Sequence, residues 1–149
     1  MRIKKTKHYS LDSLGPVILA FLRAAQFSEK EIATYKYSTR LFHDLHLFGD
    51  TAEDVLELLQ SEFCVNMSEF KFNKYFPGEF SKDVSAIDTL DIILLFRLSF
   101  FLKKYHTELR KKVKAVYEKY PPVTLCMIEE SIKEKKWIDF IKLKRTTFK

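Results

Sequence analysis

Glycine occurs three times and proline four times in this 149-residue chain. A sequence so poor in turn formers has few means of making the repeated tight reversals of an all-β sandwich or barrel. Cysteine is nearly absent too. Cys64 and Cys126 stand far apart, each in an apolar stretch, and supply neither a disulfide framework nor the clustered pairs of a zinc site. Both are expected to be free thiols in a reducing, cytoplasmic setting. Missing as well are a Cys-x-x-Cys pair, a glycine-rich phosphate loop and a serine nucleophile in a recognisable motif, so no catalytic residue, metal site or cofactor is expected and the chain is read as a non-enzyme. Long hydrophobic runs are lacking. Val17–Leu22 is too short for the apolar core of a signal peptide. Leu90–Leu102 is interrupted by Asp91 and Arg97 and falls short of the ~20 residues that cross a bilayer. A buried or amphipathic helix is the favoured reading there, with a membrane-surface helix as the alternative.

What is present is a large apolar fraction, 46%, with fourteen Phe and seven Tyr. That is enough for one packed domain over 1–149 and unlike a disordered chain. The net charge of +6 is unevenly placed: residues 1–80 sum to −1 and residues 81–149 to +7. Between 41 and 62 stand six acids and no Lys or Arg. Such asymmetry points to opposed interaction faces rather than a uniformly basic nucleic-acid binder. The basic residues interleaved with Phe100, Phe101, Tyr105 and Tyr117 are read accordingly, with the aromatics assigned to a helical core.

The periodicity predicts an all-α fold. Leu14, Val17, Ile18, Phe21 and Leu22 mark a first helix capped by Ser10 or Ser13, with Pro16 near its true start. Ser28 and Glu31 have capping-box spacing. Thr34–Leu47 reads as a long ordered loop pinned by Tyr35, Leu41, Phe42, Leu45 and Leu47. Asp50 with Glu53 suggests a second capping box, opening a helix whose stripe is Ala52, Val55, Leu56, Leu59 and Phe63 and whose other face carries Glu53, Asp54, Glu57 and Glu62. Val65–Phe80 reads as extended or turn-rich. One long helix is predicted from Leu90 to Tyr117, stopped by Pro121-Pro122. A last helix follows Thr124, with Leu125, Ile128, Ile132 and Trp137 on its buried side, and the lysine-rich tail from Lys142 is read as solvated.

The run Asp44-Leu45-His46-Leu47-Phe48-Gly49-Asp50-Thr51 through Glu62-Phe63 resembles the acyl carrier protein signature, in which a D-L-G-x-D-S-L loop presents a serine at the head of an acidic helix. Aligned on Glu62-Phe63, Asp44-Leu45 matches D-L, Phe48 replaces the aspartate and Gly49 takes the serine position. A closer resemblance is to a family of uncharacterised bacterial proteins described as acyl-carrier-like (domain of unknown function 1493). It rests on Gly49-Asp50-Thr51-Ala52, on Phe63-Cys64-Val65 through Tyr75-Phe76-Pro77-Gly78-Glu79, and on Val123-Thr124-Leu125-Cys126-Met127-Ile128 through Lys136-Trp137. The departures are Thr51 for a second aspartate, Lys135-Lys136 for a glycine region, and a long basic insertion.

The resemblance implies an acyl-carrier-like helical bundle with an extra inserted helix, the insertion covering 81–120. It also implies that the phosphopantetheine arm is not carried. Glycine has no hydroxyl, Thr51 is rotated ~200° away around the helix, and Ser61 lies three turns on. The expected role is therefore a non-catalytic protein-binding or regulatory module. Its expected docking residues are Asp50, Glu53, Asp54 and Glu57 on the acidic helix and Arg110, Lys111, Lys112 and Lys114 on the insertion, the basic set lying across the acidic helix or facing outward. Non-covalent carriage of an acyl chain in the Phe-rich core is the alternative in another class. His43 and His46 flank Asp44 at helical spacing but lack further metal ligands nearby.

Overall fold

A computed structural model describes residues 13–140. The chain is mostly helical, and among the described residues no strand forms. The helices are α1 (Pro16–Ala24), α2 (Glu29–Ile32), α3 (Gly49–Ser61), α4 (Phe72–Tyr75), α5 (Lys82–Leu95), α6 (Lys103–Lys119) and α7 (Leu125–Glu134), with a 3-10 turn at Leu98–Phe100.

Local chemistry sets most helix starts. α1 begins at Pro16 with Gly15 as its N-cap, where the fixed φ of proline suits the first turn and its missing N–H costs nothing. The expected cap at Ser13 is not used, because Gly15 N–H is satisfied by Tyr37 Oη at 2.8 Å; Ser10 and the Lys142 tail lie outside the described residues. Ser28 and Glu31 close the expected capping box. Ser81 Oγ accepts from Val84 N–H to open α5, and Thr124 Oγ1 accepts from Met127 N–H to open α7.

α7 packs against α1 and shares one buried core with it and with α3. Leu125, Met127, Ile128 and Ile132 are buried together with Ile18, Phe21 and Leu22 of α1 and Ala52, Leu56 and Leu59 of α3. The long loop before α3 is tied to the start of α7 by three backbone hydrogen bonds, Leu41 N–H to Val123 O, Leu125 N–H to Thr39 O and Cys126 N–H to Tyr37 O. Beyond α7, Lys135 adopts a left-handed conformation with φ 56°. This is the position where the resembled family has its glycine region, and a lysine there carries a backbone cost. Lys135 Nζ donates to Phe63 O at 2.9 Å, and Asn66 N–H donates to Lys135 O. The segment 65–80 contains the one-turn helix α4 rather than only extended chain, and Tyr75 Oη donates to the buried Asp139 carboxylate at 2.7 Å.

The insertion departs from expectation. Residues 90–117 do not form one helix. α5 ends at Leu95, Arg97 takes a left-handed φ of 54°, and the chain reverses through the 3-10 turn into α6. The run Phe96-Arg97-Leu98-Ser99-Phe100 has no strong helix-stop residue, so the reversal is invisible in the pattern; the gain is that Ile87 and Ile93 of α5 are buried along with Leu109, Val113 and Val116 of α6. The two helices are antiparallel, and Asp83 at the start of α5 meets Lys119 (2.7 Å) and Tyr120 Oη (2.8 Å) at the end of α6. The apolar face expected to be buried is only partly so. Ile93 is covered, whereas Leu94, Leu98, Phe101 and Leu102 are exposed, as are Phe100 and Tyr105. Tyr117 alone of the expected core aromatics in this region packs against the core.

Ile128→Ala should cost about 2–5 kcal/mol, the range for emptying a fully buried site, while Phe100→Ala at the hairpin tip should cost less than about 0.5 kcal/mol; urea midpoints of the two variants check the contrast. The hydrogen bond from Lys119, then that from Tyr120, hold the Asp83 carboxyl below the ordinary aspartate range. A group whose pKa is depressed by folding contributes fully above its unfolded value and loses that contribution as pH falls. Asp83→Asn should therefore lower the urea midpoint at neutral pH, and the gap from the native chain should close on acidification through the aspartate range.

Candidate functional site around Gly49 and the acidic helix

The loop leading to α3 is held in shape by Asp44. Its carboxylate accepts from Arg40 N–H at 2.8 Å and from the Arg40 guanidinium at 2.7 and 2.9 Å, and the guanidinium hydrogen bonds draw its pKa down. The Asp44-Leu45 pair of the resembled signature thus braces a turn. His43 Nε2 donates to Tyr117 O at 2.8 Å, and His46 Nδ1 lies 3.1 Å from Tyr117 Oη, so the two histidines join this loop to α6. No group of three or more metal-ligating side chains gathers among the described residues.

At the head of α3 the decisive residue is Gly49. It is buried, its φ is +52°, and a Cβ added there would lie 2.7 Å from Glu79 Cβ and 3.1 Å from Glu79 Cα. Real Cβ atoms do not approach that closely. Two independent constraints therefore demand glycine, a left-handed backbone that costs an L-residue roughly 1–2 kcal/mol and a neighbouring segment with no space for a side chain. Gly49 N–H donates to Pro77 O at 3.3 Å, so the Pro77-Gly78-Glu79 turn closes over the position that a carrier protein keeps open. The position that the resemblance aligns with the carrier serine thus has neither a hydroxyl nor the room to display one.

The expected capping box at Asp50 and Glu53 does not form. Phe48 is the N-cap and makes no side-chain cap bond, while Asp50 falls in the first turn. The reason is register: with Gly49 already inside the helix, Asp50 lies beyond the point where a side chain folds back onto N-terminal amides. Asp50 instead stands beside Glu79, and that like charge pushes the Glu79 carboxyl up from its ordinary range. Thr51 Oγ1 donates to Phe48 O at 2.8 Å and Ser61 Oγ to Glu57 O at 3.0 Å. Both hydroxyls turn back onto the helix.

Asp50, Glu53, Asp54 and Glu57 are all exposed. None of the four is ion-paired with α6 among the described residues. Arg110, Lys111, Lys112 and Lys114 are exposed as well, but they belong to the hairpin, where Lys114 reaches Glu118 at 3.8 Å and Lys112 lines an open cleft of about 490 Å³ between α5 and α6. No ion pair joins the basic set to the acidic helix among the described residues, and the buried Val113 and Val116 of α6 pack into the main core. A second open cleft, about 530 Å³, runs beside α3 and includes Phe27, Leu47, Thr51, Asp54, Val55 and Leu58. Glu79 was not legible as part of this site. Pro77-Gly78 signals a turn, but nothing in the pattern shows which helix end that turn covers.

Comparison of the chain with protein-family models, with curated protein sequences and with solved structures finds no match. No helix among the described residues is long and apolar enough to cross a membrane.

Gly49→Ser should destabilise the protein by about 2–4 kcal/mol, the sum of the left-handed backbone cost and a close contact in a packed site. Adding Glu79→Gly should restore part of that loss and not all, since it relieves the contact and leaves φ unchanged. A double-mutant cycle on denaturation midpoints checks both statements.

Proposed function

We propose that this chain is a non-catalytic, acyl-carrier-like module that binds a protein partner through the acidic face of α3. The observation that carries the reading is the pairing of a closed serine position with an open acidic surface. Gly49 is sealed by Glu79 and Pro77, while Glu53, Asp54 and Glu57 face solvent with no ion pair to α6. Element order supports it as well. A helix, the one-turn α2, a long loop, an acidic helix, a short helix and a final helix follow one another, an order that, α2 aside, is similar to that of the resembled family, with the α5–α6 hairpin between the last two. A face that presents several like charges selects basic partners, steers their approach and rejects acidic ones. The free thiols Cys64 and Cys126 fit a reducing, cytoplasmic setting.

Intact-mass measurement after incubation with coenzyme A and a phosphopantetheinyl transferase should show no adduct, for the native chain and for Gly49→Ser alike. A pull-down from host lysate should recover a partner whose yield falls about tenfold or more when Glu53, Asp54 and Glu57 are reversed to Lys, because attraction is replaced by like-charge repulsion. Unchanged recovery would remove the acidic face from the interface, and an adduct would restore the carrier reaction. Native mass spectrometry of protein from cells tests the alternative of a retained acyl chain.

A further inference from the structure

The hairpin carries an exposed apolar tip that neither the core nor α3 uses. From Leu94 to Leu102 every residue except Arg97 and Ser99 is apolar, and the exposure is large where it matters: Leu95 77%, Phe96 67%, Phe100 85% and Phe101 80%. Exposed aromatic and aliphatic side chains in one contiguous patch mark an interaction surface. We propose that this tip inserts into the interfacial layer of an anionic lipid membrane, with α5 and α6 standing above it.

Three observations select lipid as the occupant. The first is charge. Between Asp91 and Glu108 there is no acidic residue; Arg97 lies within the tip and Lys103 and Lys104 directly follow it, all exposed. The two lysines behind the apolar side chains place ammonium groups at headgroup level when the tip is submerged, and the long Arg97 side chain reaches the same level by snorkelling. Arg110, Lys111 and Lys112 follow on α6, roughly 12–15 Å beyond Leu102 at the helical rise, which is beyond one Debye length at physiological salt, so they sense an anionic surface only at low ionic strength.

The second is the backbone. A reversal that leaves water needs its amides satisfied internally. Here four of the seven amides from Phe96 to Leu102 are so met: Phe96 N–H donates to Ile92 O, Arg97 N–H to Leu94 O, and both Phe101 and Leu102 N–H to Leu98 O. The third is the position of Tyr105, exposed just above the apolar segment, where an amphipathic aromatic suits the membrane–water boundary. The length of the segment makes this a surface insertion rather than a span, consistent with the absence of any sufficiently long apolar helix among the described residues. The inference stands apart from the reading of α3 and holds or fails without it.

The test is flotation of the full-length chain with phosphatidylcholine vesicles, with and without phosphatidylserine, at low and high salt. Binding is expected on the anionic vesicles, weakened by salt and weak on neutral ones. Phe100→Ser with Phe101→Ser should reduce binding at least about tenfold, and each of Arg97→Gln, Lys103→Gln and Lys104→Gln about fivefold. All five side chains are exposed, so urea midpoints should stay near that of the native chain and separate lost binding from lost folding. Phe100→Trp should show a blue shift of its emission on anionic vesicles and none on neutral ones. The Glu53, Asp54, Glu57 reversal should leave flotation undiminished. Absence of flotation on anionic vesicles, or equal flotation on neutral ones, would overturn the proposal. So would self-association that Phe100→Ser and Phe101→Ser abolish in a chain that ignores vesicles, which would assign the tip to a second copy.

Discussion

The structure depends on α7 being held by backbone hydrogen bonds at both ends. At its start, Leu41, Leu125 and Cys126 N–H groups pair with carbonyls across the junction between the long loop and the helix. At its end, Asn66 N–H reaches Lys135 O and Trp137 N–H reaches Asn66 O. The segments concerned have neither a helix nor a sheet ladder of their own, so their buried polar groups would otherwise go unpaired, which is costlier than the modest net gain of each bond suggests. Between the two straps, Leu125, Met127, Ile128 and Ile132 fill the space against α1 and α3. The buried Glu129 is accommodated because Tyr37 Oη and Lys133 Nζ both donate to it.

From that post the molecule divides into parts of different dependence. α1 packs against both α7 and α3, and Gly49 at the head of α3 is placed against Pro77 and Glu79. The strand of chain carrying Pro77 and Glu79 is anchored by Tyr75 to Asp139, three residues beyond Lys136 and its bridge to Asn66. A carboxylate buried to this degree is tolerable only with its partners in place, here Tyr75 Oη and Lys74 Nζ. The hairpin is tied in more locally. α5 and α6 bury apolar residues against each other, Asp83 links their open end, and His43 and His46 meet Tyr117 at one side. Its far tip makes no such contact among the described residues, and Leu95, Phe96, Phe100 and Phe101 are exposed there.

The charge asymmetry of the sequence takes on a spatial meaning in this arrangement. The acids of 50–57 lie on α3 and the bases of 97–114 on the hairpin, and the two sets do not neutralise each other. Exposed pairs of this kind contribute little to stability in any case. The domain therefore carries two exposed charged sets of opposite sign, and such sets steer oppositely charged partners.

Much of the fold was legible in short-range pattern. Ser28 with Glu31, Thr124, and the stripe Ala52, Leu56 and Leu59 specify local geometry through residues three or four apart, and the chain obeys them. The glycine at position 49 was legible as a missing hydroxyl, because that is a property of the residue itself. What only the tertiary structure decided lies in contacts across long separations. Glu79 closing over Gly49, the reversal at Arg97 and the exposure of Phe100 and Phe101 depend on which apolar faces find partners, and an apolar run reads the same whether it is covered or not. Helix composition and the glycine at position 49 were written in the sequence; the closing of Glu79 over that glycine and the uncovered tip of the hairpin were settled by packing, because burial is a property of the neighbours and not of the residue.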